Sequence, residues 1–379
     1  MKNLWVVYSS RKGGHKYPTQ SLVDYLKKYH KDKFDTVSIN FLDYSLLASF
    51  FDSVGRFSDL KFKRMMKIGY SNLRANRKRM LSPYGGAIRL IFKLGRLRRN
   101  LLKNFGKPDI ILSIQPEVNT MAGMLKEWFD NVPIYSAIID LVAHGLWVNE
   151  NIDGYFIPHA DMKKELMNYG VEEKNIITTG LPIREGFRAA YSKDKVLLRR
   201  ELGIDTSLPT ILMLGGLLGK MVDFIKVIES LSRVKVPHQL IGIFGKNDVD
   251  REKAGKMDYP YDLYPMGQVE NVYDWMWASD IVITKPGSVT IAEITSLGKP
   301  IIVITPLAGS LQETKFAELL QRKGIGKWVQ TADEVGECAE NLLSDPKLLK
   351  KISKNAKDFG GVSLYSIDNI TKFLIREAI

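Results

Sequence analysis

The chain predicts an α/β protein of two Rossmann-like domains facing a cleft, and three observations carry that prediction. Short apolar, β-rich runs alternate with helical stretches, the pattern of βαβ units on a parallel sheet. The pattern restarts after about residue 190. The length, 379 residues, exceeds what one ordinary core organises.

The strands are read in order. LWVVYS (residues 4–9) is followed by a glycine turn and a helical stretch over about 19–29. Residues 36–39, 109–113 and 133–138 are further strands. In the second half TILML (210–214) leads into GGLLGK, QLIGIF (239–244) into GKND, and DIVIT (280–284) into KPGS. Residues 300–304 form another strand, and a last helix is expected over 366–378. The domains expected are 1–190, with an insert at 56–107, and 191–360, followed by a terminal segment 361–379. The join falls near 186–193.

Composition narrows the class. The 45% apolar and 26% charged residues fit a globular chain. One cysteine, Cys338, excludes an internal disulfide framework and any multi-cysteine metal site. The five histidines show no tight ligand spacing, so no metal is expected. No run approaches a membrane span; the nearest, 133–148, is interrupted by Asp140 and His144. The N-terminal apolar run is too short for a secretory signal.

The net charge of +13 is concentrated. Residues 56–107 hold sixteen Lys or Arg and one acid, Asp59, leaving 39 basic and 41 acidic residues elsewhere. The body is near neutral and the insert strongly basic. Within 87–105, taken as one helix, Leu90, Leu94, Leu97, Leu101 and Phe105 share a stripe, with Arg89, Lys93, Arg96, Arg99 and Lys103 on another side. Upstream, Lys61, Phe62, Arg64, Met65 and Lys67 interleave cations with apolar side chains, and Arg77 and Arg79 follow. That composition fits a segment lying on an anionic membrane surface. The plainer reading is a core-facing stripe with a solvated basic face. We expect 87–105 to pack on the sheet and 56–80 to meet lipid. No RNA-binding aromatic pattern appears, so nucleic acid is not expected as a partner.

Ligands of open parallel sheets bind beyond the carboxyl ends of the strands. The first such loop is SSRKGGH, residues 9–15, in which Gly13 and Gly14 let backbone approach a ligand. His15, at a positive helix start, stays neutral and able to accept a proton. Gly215, Gly216 and Gly219 fit a phosphate cradle without the Walker A spacing. Lys285, Pro286, Gly287 and Ser288 open a helix, with Ser288 as the candidate cap. Glu293, further along it, suits a ribose diol or is an ordinary solvated helix glutamate. Gln312 and Glu313 suit sugar hydroxyls or simply start a helix. Asp140, His144 and Trp147 either orient an acceptor or form a buried polar pair with a core tryptophan. Each loop alone fits an ordinary turn equally well.

Their order is more specific. GGH at 13–15, DLVAHGLWVNENID at 140–153, GLPIR at 180–184, GGLLG at 215–219, GKN at 245–247, TKPGS at 284–288 and QE at 312–313 resemble the diacylglycerol glycosyltransferases. These are the processive diacylglycerol glucosyltransferases and monogalactosyldiacylglycerol synthases. The resemblance covers most of the chain, and the insert only loosely. It implies the GT-B fold, with a UDP-sugar, UDP-glucose or UDP-galactose, held mainly by the C-terminal domain. By the same resemblance Glu293 holds the ribose and the Val269 backbone meets the uracil. Gly215, Gly216 and the helix after Lys285 surround the diphosphate, with Lys246 and Asn247 nearby. Gln312 and Glu313 meet the sugar, and the last helix crosses back to the first domain. His15 is implied at the reacting centre as general base of an inverting transfer to diacylglycerol or a glycosyl-diacylglycerol, with no cofactor and no metal in the chemistry. A peripheral position on the cytoplasmic face of the cell membrane follows. The chain departs from the family at Ser288, where a glycine is usual, and around Lys315–Phe316, where an asparagine is, so the donor sugar stays open. Three rivals use similar parts: transfer of N-acetylglucosamine to a lipid-linked peptidoglycan precursor, a soluble nucleotide-sugar epimerase, and a non-catalytic nucleotide-sugar-binding subunit.

Overall fold

The structure is a computed structural model. It describes residues 1–9, 13–44, 96–216, 223–305 and 311–378, with backbone alone at 13–15, 311–312 and 378. Two compact units divide it, Met1–Arg184 with Tyr365–Ile379, and Glu185–Leu364.

Unit one carries a parallel sheet of β1 (Lys2–Tyr8), β2 (Phe34–Asn40), β3 (Ile110–Ser113), β4 (Ile134–Ala137), β5 (Gly154–Ile157) and β6 (Ile176–Thr178) in the order β2-β1-β3-β4-β5-β6. Strands β3, β4 and β5 are buried throughout, which is why they read as continuous apolar runs without alternation. The terminal helix Ser366–Ala378 belongs to this unit. Its Phe373 meets Tyr135 and Phe156 edge-on at 5.4 and 5.2 Å. Its Asp368 accepts a 2.6 Å hydrogen bond from the Tyr25 hydroxyl.

One expectation is corrected here. The stripe over 87–105 does not run as one helix. The helix is Leu97–Phe105, and Arg96 before it has φ +56°, a left-handed conformation that a continuous α-helix does not pass through. Within that helix Leu97 and Leu101 are buried while Arg99 and Lys103 are exposed, as a core-facing stripe requires. Residues 87–95 lie outside the described residues.

Unit two repeats the plan with β7 (Thr210–Leu214), β8 (Gln239–Ile243), β9 (Asp262–Met266), β10 (Ile281–Thr284), β11 (Ile301–Ile304) and β12 (Gly326–Val329), all parallel, in the order β12-β11-β10-β7-β8-β9. Its amino-terminal edge is locked by charge. Asp280, just before β10, accepts from Arg199 and from the Thr210 N–H at 2.7 and 2.8 Å, and pairs with Lys195. Burial drives its carboxyl upward, but the Lys195 and Arg199 charges outweigh this and hold it below the usual carboxylate range. Lys299 donates to the Trp277 and Ser279 carbonyls, both at 2.7 Å, and its burial pushes the ammonium well below its ordinary value. The polar groups at this edge are tied to one another, which leaves the opposite, carboxyl edge for ligands.

Each sheet reverses direction once. In unit one the reversal lies between β1 and β3, and in unit two between β7 and β10. Crevices beyond the carboxyl ends at such points are where open α/β sheets hold ligands. No helix among the described residues is long and apolar enough to cross a membrane.

Candidate active site

The unit-two switch point brings two glycine-bearing loops together. Gly215 extends the sheet by one bond, its N–H donating to the Ile243 carbonyl at 3.0 Å. Gly216 then turns with φ +68°, a conformation that favours glycine. A Cβ at Gly216 would stand 3.8 Å from Lys285 Cε, so the end of the Lys285 side chain lies over this turn. Lys285 is exposed at the carboxyl end of β10. After it Pro286 is crossed by a tight turn, Gly287 N–H to Lys285 C=O at 2.8 Å. The helix Ser288–Ser296 follows. Its first rung is Ile291 N–H to Gly287 C=O at 2.9 Å, so the amides of Ser288, Val289 and Thr290 precede the ladder. The cap position is Gly287, and no side chain caps the helix. This corrects the expectation for Ser288, which is the first helical residue. Helix-start amides, a positive helix end and a lysine at one turn suit a diphosphate.

Around this point the other candidates take distinct positions. Glu293 lies in the same helix and is only 7% exposed. Val269 is half-buried in the loop after β9. Lys246 is exposed after β8, whereas Asn247 caps the helix Asp248–Gly255, accepting from the Asp250 N–H at 3.2 Å and donating to its carboxylate at 2.6 Å. Glu313 is half-buried in the first turn of the helix Leu311–Lys323. Gln312 is placed there by backbone alone, and Gly219 lies outside the described residues.

At the unit-one switch point the helix Gly13–Tyr29 begins at the two glycines, and His15 is its third residue. Its backbone is therefore in the positive first turn. From β4 the chain enters the segment holding Asp140, His144 and Trp147. The Trp147 indole donates to Asp140 Oδ2 at 2.8 Å, and His144 Nε2 lies 3.2 Å from the same oxygen. Asp140 and His144 are 8% and 7% exposed, and Trp147 is fully buried. Asn119 donates to the Trp147 carbonyl at 2.7 Å and to Ser136 Oγ at 2.8 Å, and Glu165 accepts from the Ala143 N–H at 2.8 Å. The structure joins these three residues, but a tryptophan with no exposed surface holds Asp140 rather than touching an acceptor. Asp153, the last residue of the same motif, accepts from the Ile134 N–H and from Lys126, both at 2.7 Å, and anchors the start of β4.

Residues 15–183 match the monogalactosyldiacylglycerol (MGDG) synthase model, and residues 210–359 match the C-terminal domain of glycosyltransferase family 28. The chain is 29% identical to the processive diacylglycerol beta-glucosyltransferase of Bacillus licheniformis, over 83% of this chain and 77% of that one. It is 26% identical to the Bacillus subtilis protein of the same name, over 83% and 78%. The chain is similar to the diacylglycerol glycosyltransferases over most of its length. Its fold is GT-B. Among solved structures Acinetobacter baumannii MurG superposes with a TM-score of 0.63 at 14% identity, covering 98% of this chain and all of that one. The UDP-GlcNAc 2-epimerase of Neisseria meningitidis does so with 0.59 at 15%, covering 99% and 100%. At such identities the match speaks for the fold alone. The epimerase reading keeps the fold, but the family matches favour transfer.

The membrane candidates Lys61, Phe62, Arg64, Met65, Lys67, Arg77 and Arg79 lie outside the described residues. Among the described residues, no group of three or more His, Cys, Asp or Glu side chains is arranged to hold a metal ion. Two contributors escaped the sequence reading. Asn119 and Glu165 brace the 140–147 segment from 28 and 22 residues away. A lone Asn or Glu at that separation gives no local signal.

Proposed function

We propose that the protein is a membrane-associated, inverting hexosyltransferase that moves a hexose from UDP-glucose or UDP-galactose to diacylglycerol or a glycosyl-diacylglycerol. The observation that carries this reading is the unit-two switch point, where Gly216, Lys285 and the start of Ser288–Ser296 converge on one turn. The acceptor class comes from the curated relatives, whose names specify diacylglycerol.

In this reading the acceptor hydroxyl attacks the anomeric carbon from the face opposite the diphosphate. His15 takes its proton as the new C–O bond forms. The bond from the anomeric carbon to the diphosphate oxygen breaks, and UDP leaves with the electron pair. Helix-start amides and the Lys285 ammonium stabilise the charge that grows on that oxygen. Glu293 holds the ribose, the Val269 backbone the uracil, and Gln312 with Glu313 the sugar. No step in this scheme uses a metal or a cofactor. The basic insert binds anionic lipid at the cytoplasmic face, with each engaged cation contributing about 1 kcal/mol.

The test is incubation with UDP-glucose or UDP-galactose, diacylglycerol and detergent, followed by mass spectrometry of the lipids. A hexosyl-diacylglycerol that depends on the nucleotide sugar is expected. Its absence with both donors rejects the reading. For the membrane role, sedimentation with anionic vesicles should exceed that with zwitterionic ones, and equal sedimentation rejects it.

A further inference from the structure

One contact at the unit-one switch point belongs neither to the sheet ladder nor to a helix. Strands β1 and β3 pair as far as Val7 opposite Ser113, and Ile114 N–H then bonds Val7 C=O at 3.0 Å. Beyond that bond the Gln115 side chain continues the ladder. The Ser9 N–H donates to Gln115 Oε1 at 2.7 Å, and Gln115 Nε2 donates back to the Ser9 carbonyl at 2.9 Å. A primary amide offers a donor and an acceptor side by side, so it stands in here for a neighbouring strand.

Gln115 is itself held. It is 5% exposed, its backbone is extended at φ −154° and ψ 139°, and Pro116 follows, which favours that conformation. Ser113 Oγ donates to the Gln115 carbonyl at 3.0 Å and accepts from its N–H at 3.4 Å. Both arms of the amide are therefore spent on one residue, Ser9, at the point where β1 ends. Asparagine is a methylene shorter, glutamate lacks the donor, and leucine lacks both groups.

We propose that Gln115 is a positioning residue for glycosyl transfer: its amide fixes the exit of β1, and with it the start of the helix that carries His15. The proposal rests on the reading of His15 as general base. A misplaced base loses rate steeply with distance, whereas the donor pocket lies in the other unit and does not depend on this clamp.

The test uses the full chain with Gln115→Leu and Gln115→Glu, and His15→Ala as reference. In Gln115→Leu, hydrogen–deuterium exchange at the end of β1 should accelerate. Turnover should fall about 10-fold while the KM for the UDP-sugar and the UDP affinity stay within about 2-fold. Gln115→Glu keeps the acceptor and loses the donor. A carboxylate facing the Ser9 carbonyl out of water is held protonated to higher pH, and the protonated form donates again. Its turnover relative to wild type should therefore climb as pH falls from about 8 to about 6. A purely structural role would lower melting temperature, donor binding and turnover together and leave that ratio flat. Wild-type exchange or wild-type turnover in Gln115→Leu overturns the proposal. Failure of the base reading shows separately, as wild-type turnover in His15→Ala.

Discussion

The two switch points are built on the same plan and finished differently. In both, the loops after two neighbouring strands are joined by one side chain reaching across. In unit one that side chain is Gln115, whose donor and acceptor are both consumed by the Ser9 backbone. In unit two it is Lys285, whose methylene end lies over Gly216 while the residue stays exposed. A saturated amide fixes backbone. An ammonium over a glycine turn, beside helix-start amides, brings positive charge to a place where an anion can come. In the proposed reading the difference separates the tasks: unit one would hold a base in position, and unit two would receive a charged leaving group.

The sharpest way to break that division is to exchange the losses. His15→Ala should reduce turnover by about 10²-fold or more, the usual worth of a general base, with UDP affinity by calorimetry unchanged. Near-normal turnover at saturating substrates would remove unit one from the chemistry. Lys285→Ala should show the opposite profile. UDP affinity should drop about tenfold, which corresponds to ~1.4 kcal/mol, because the lost charge is exposed and its attraction partly screened. Unchanged UDP affinity in that variant would mean that the Gly216 turn is only a turn.

Glu293→Ala sharpens the unit-two side further. The residue is nearly buried, under two turns along the helix that begins at Ser288. A ribose contact through two hydroxyls predicts a loss of about 5-fold in UDP affinity. It also predicts that 2′-deoxy-UDP loses less in the variant than in the wild type. If both nucleotides weaken equally, Glu293 acts through packing and not through the ribose.

How much of this was legible in the sequence depends on range. Strands such as IIVI at 301–304 and IVIT at 281–284 announced themselves, because a strand buried on both faces is a continuous apolar run. The glycine turns were legible because a positive φ such as that of Gly216 favours glycine. The helix proposed for 87–105 failed at Arg96, since an apolar stripe repeats with the helical period whatever the backbone does at one residue. Ser288 departs from the expectation for a related reason: serine favours the cap position, but Pro286 and the turn to Gly287 set the helix start one residue earlier. Long-range partners were invisible. Arg199 and Asp280 are 81 residues apart and Gln115 and Ser9 are 106 apart, and nothing near any of them in sequence names the other.

The smallest expected effect tests the assignment of the Asp140 cluster to scaffold. The Trp147 indole is fully buried and its N–H is bonded to Asp140 at 2.8 Å. Trp147→Phe removes that donor and part of the ring while keeping an aromatic side chain. One carboxylate oxygen then loses its shorter bond, and a small void opens where the larger indole ring was buried. The cost in unfolding free energy should be about 2 kcal/mol, read from a urea titration. Turnover of the folded variant should stay within about 3-fold, because the loss falls on the support of Asp140 and leaves His15 in place. A stability close to wild type with turnover reduced by more than about 10-fold would reverse the assignment, placing Asp140 and His144 at the acceptor and making Trp147 the residue that aims them.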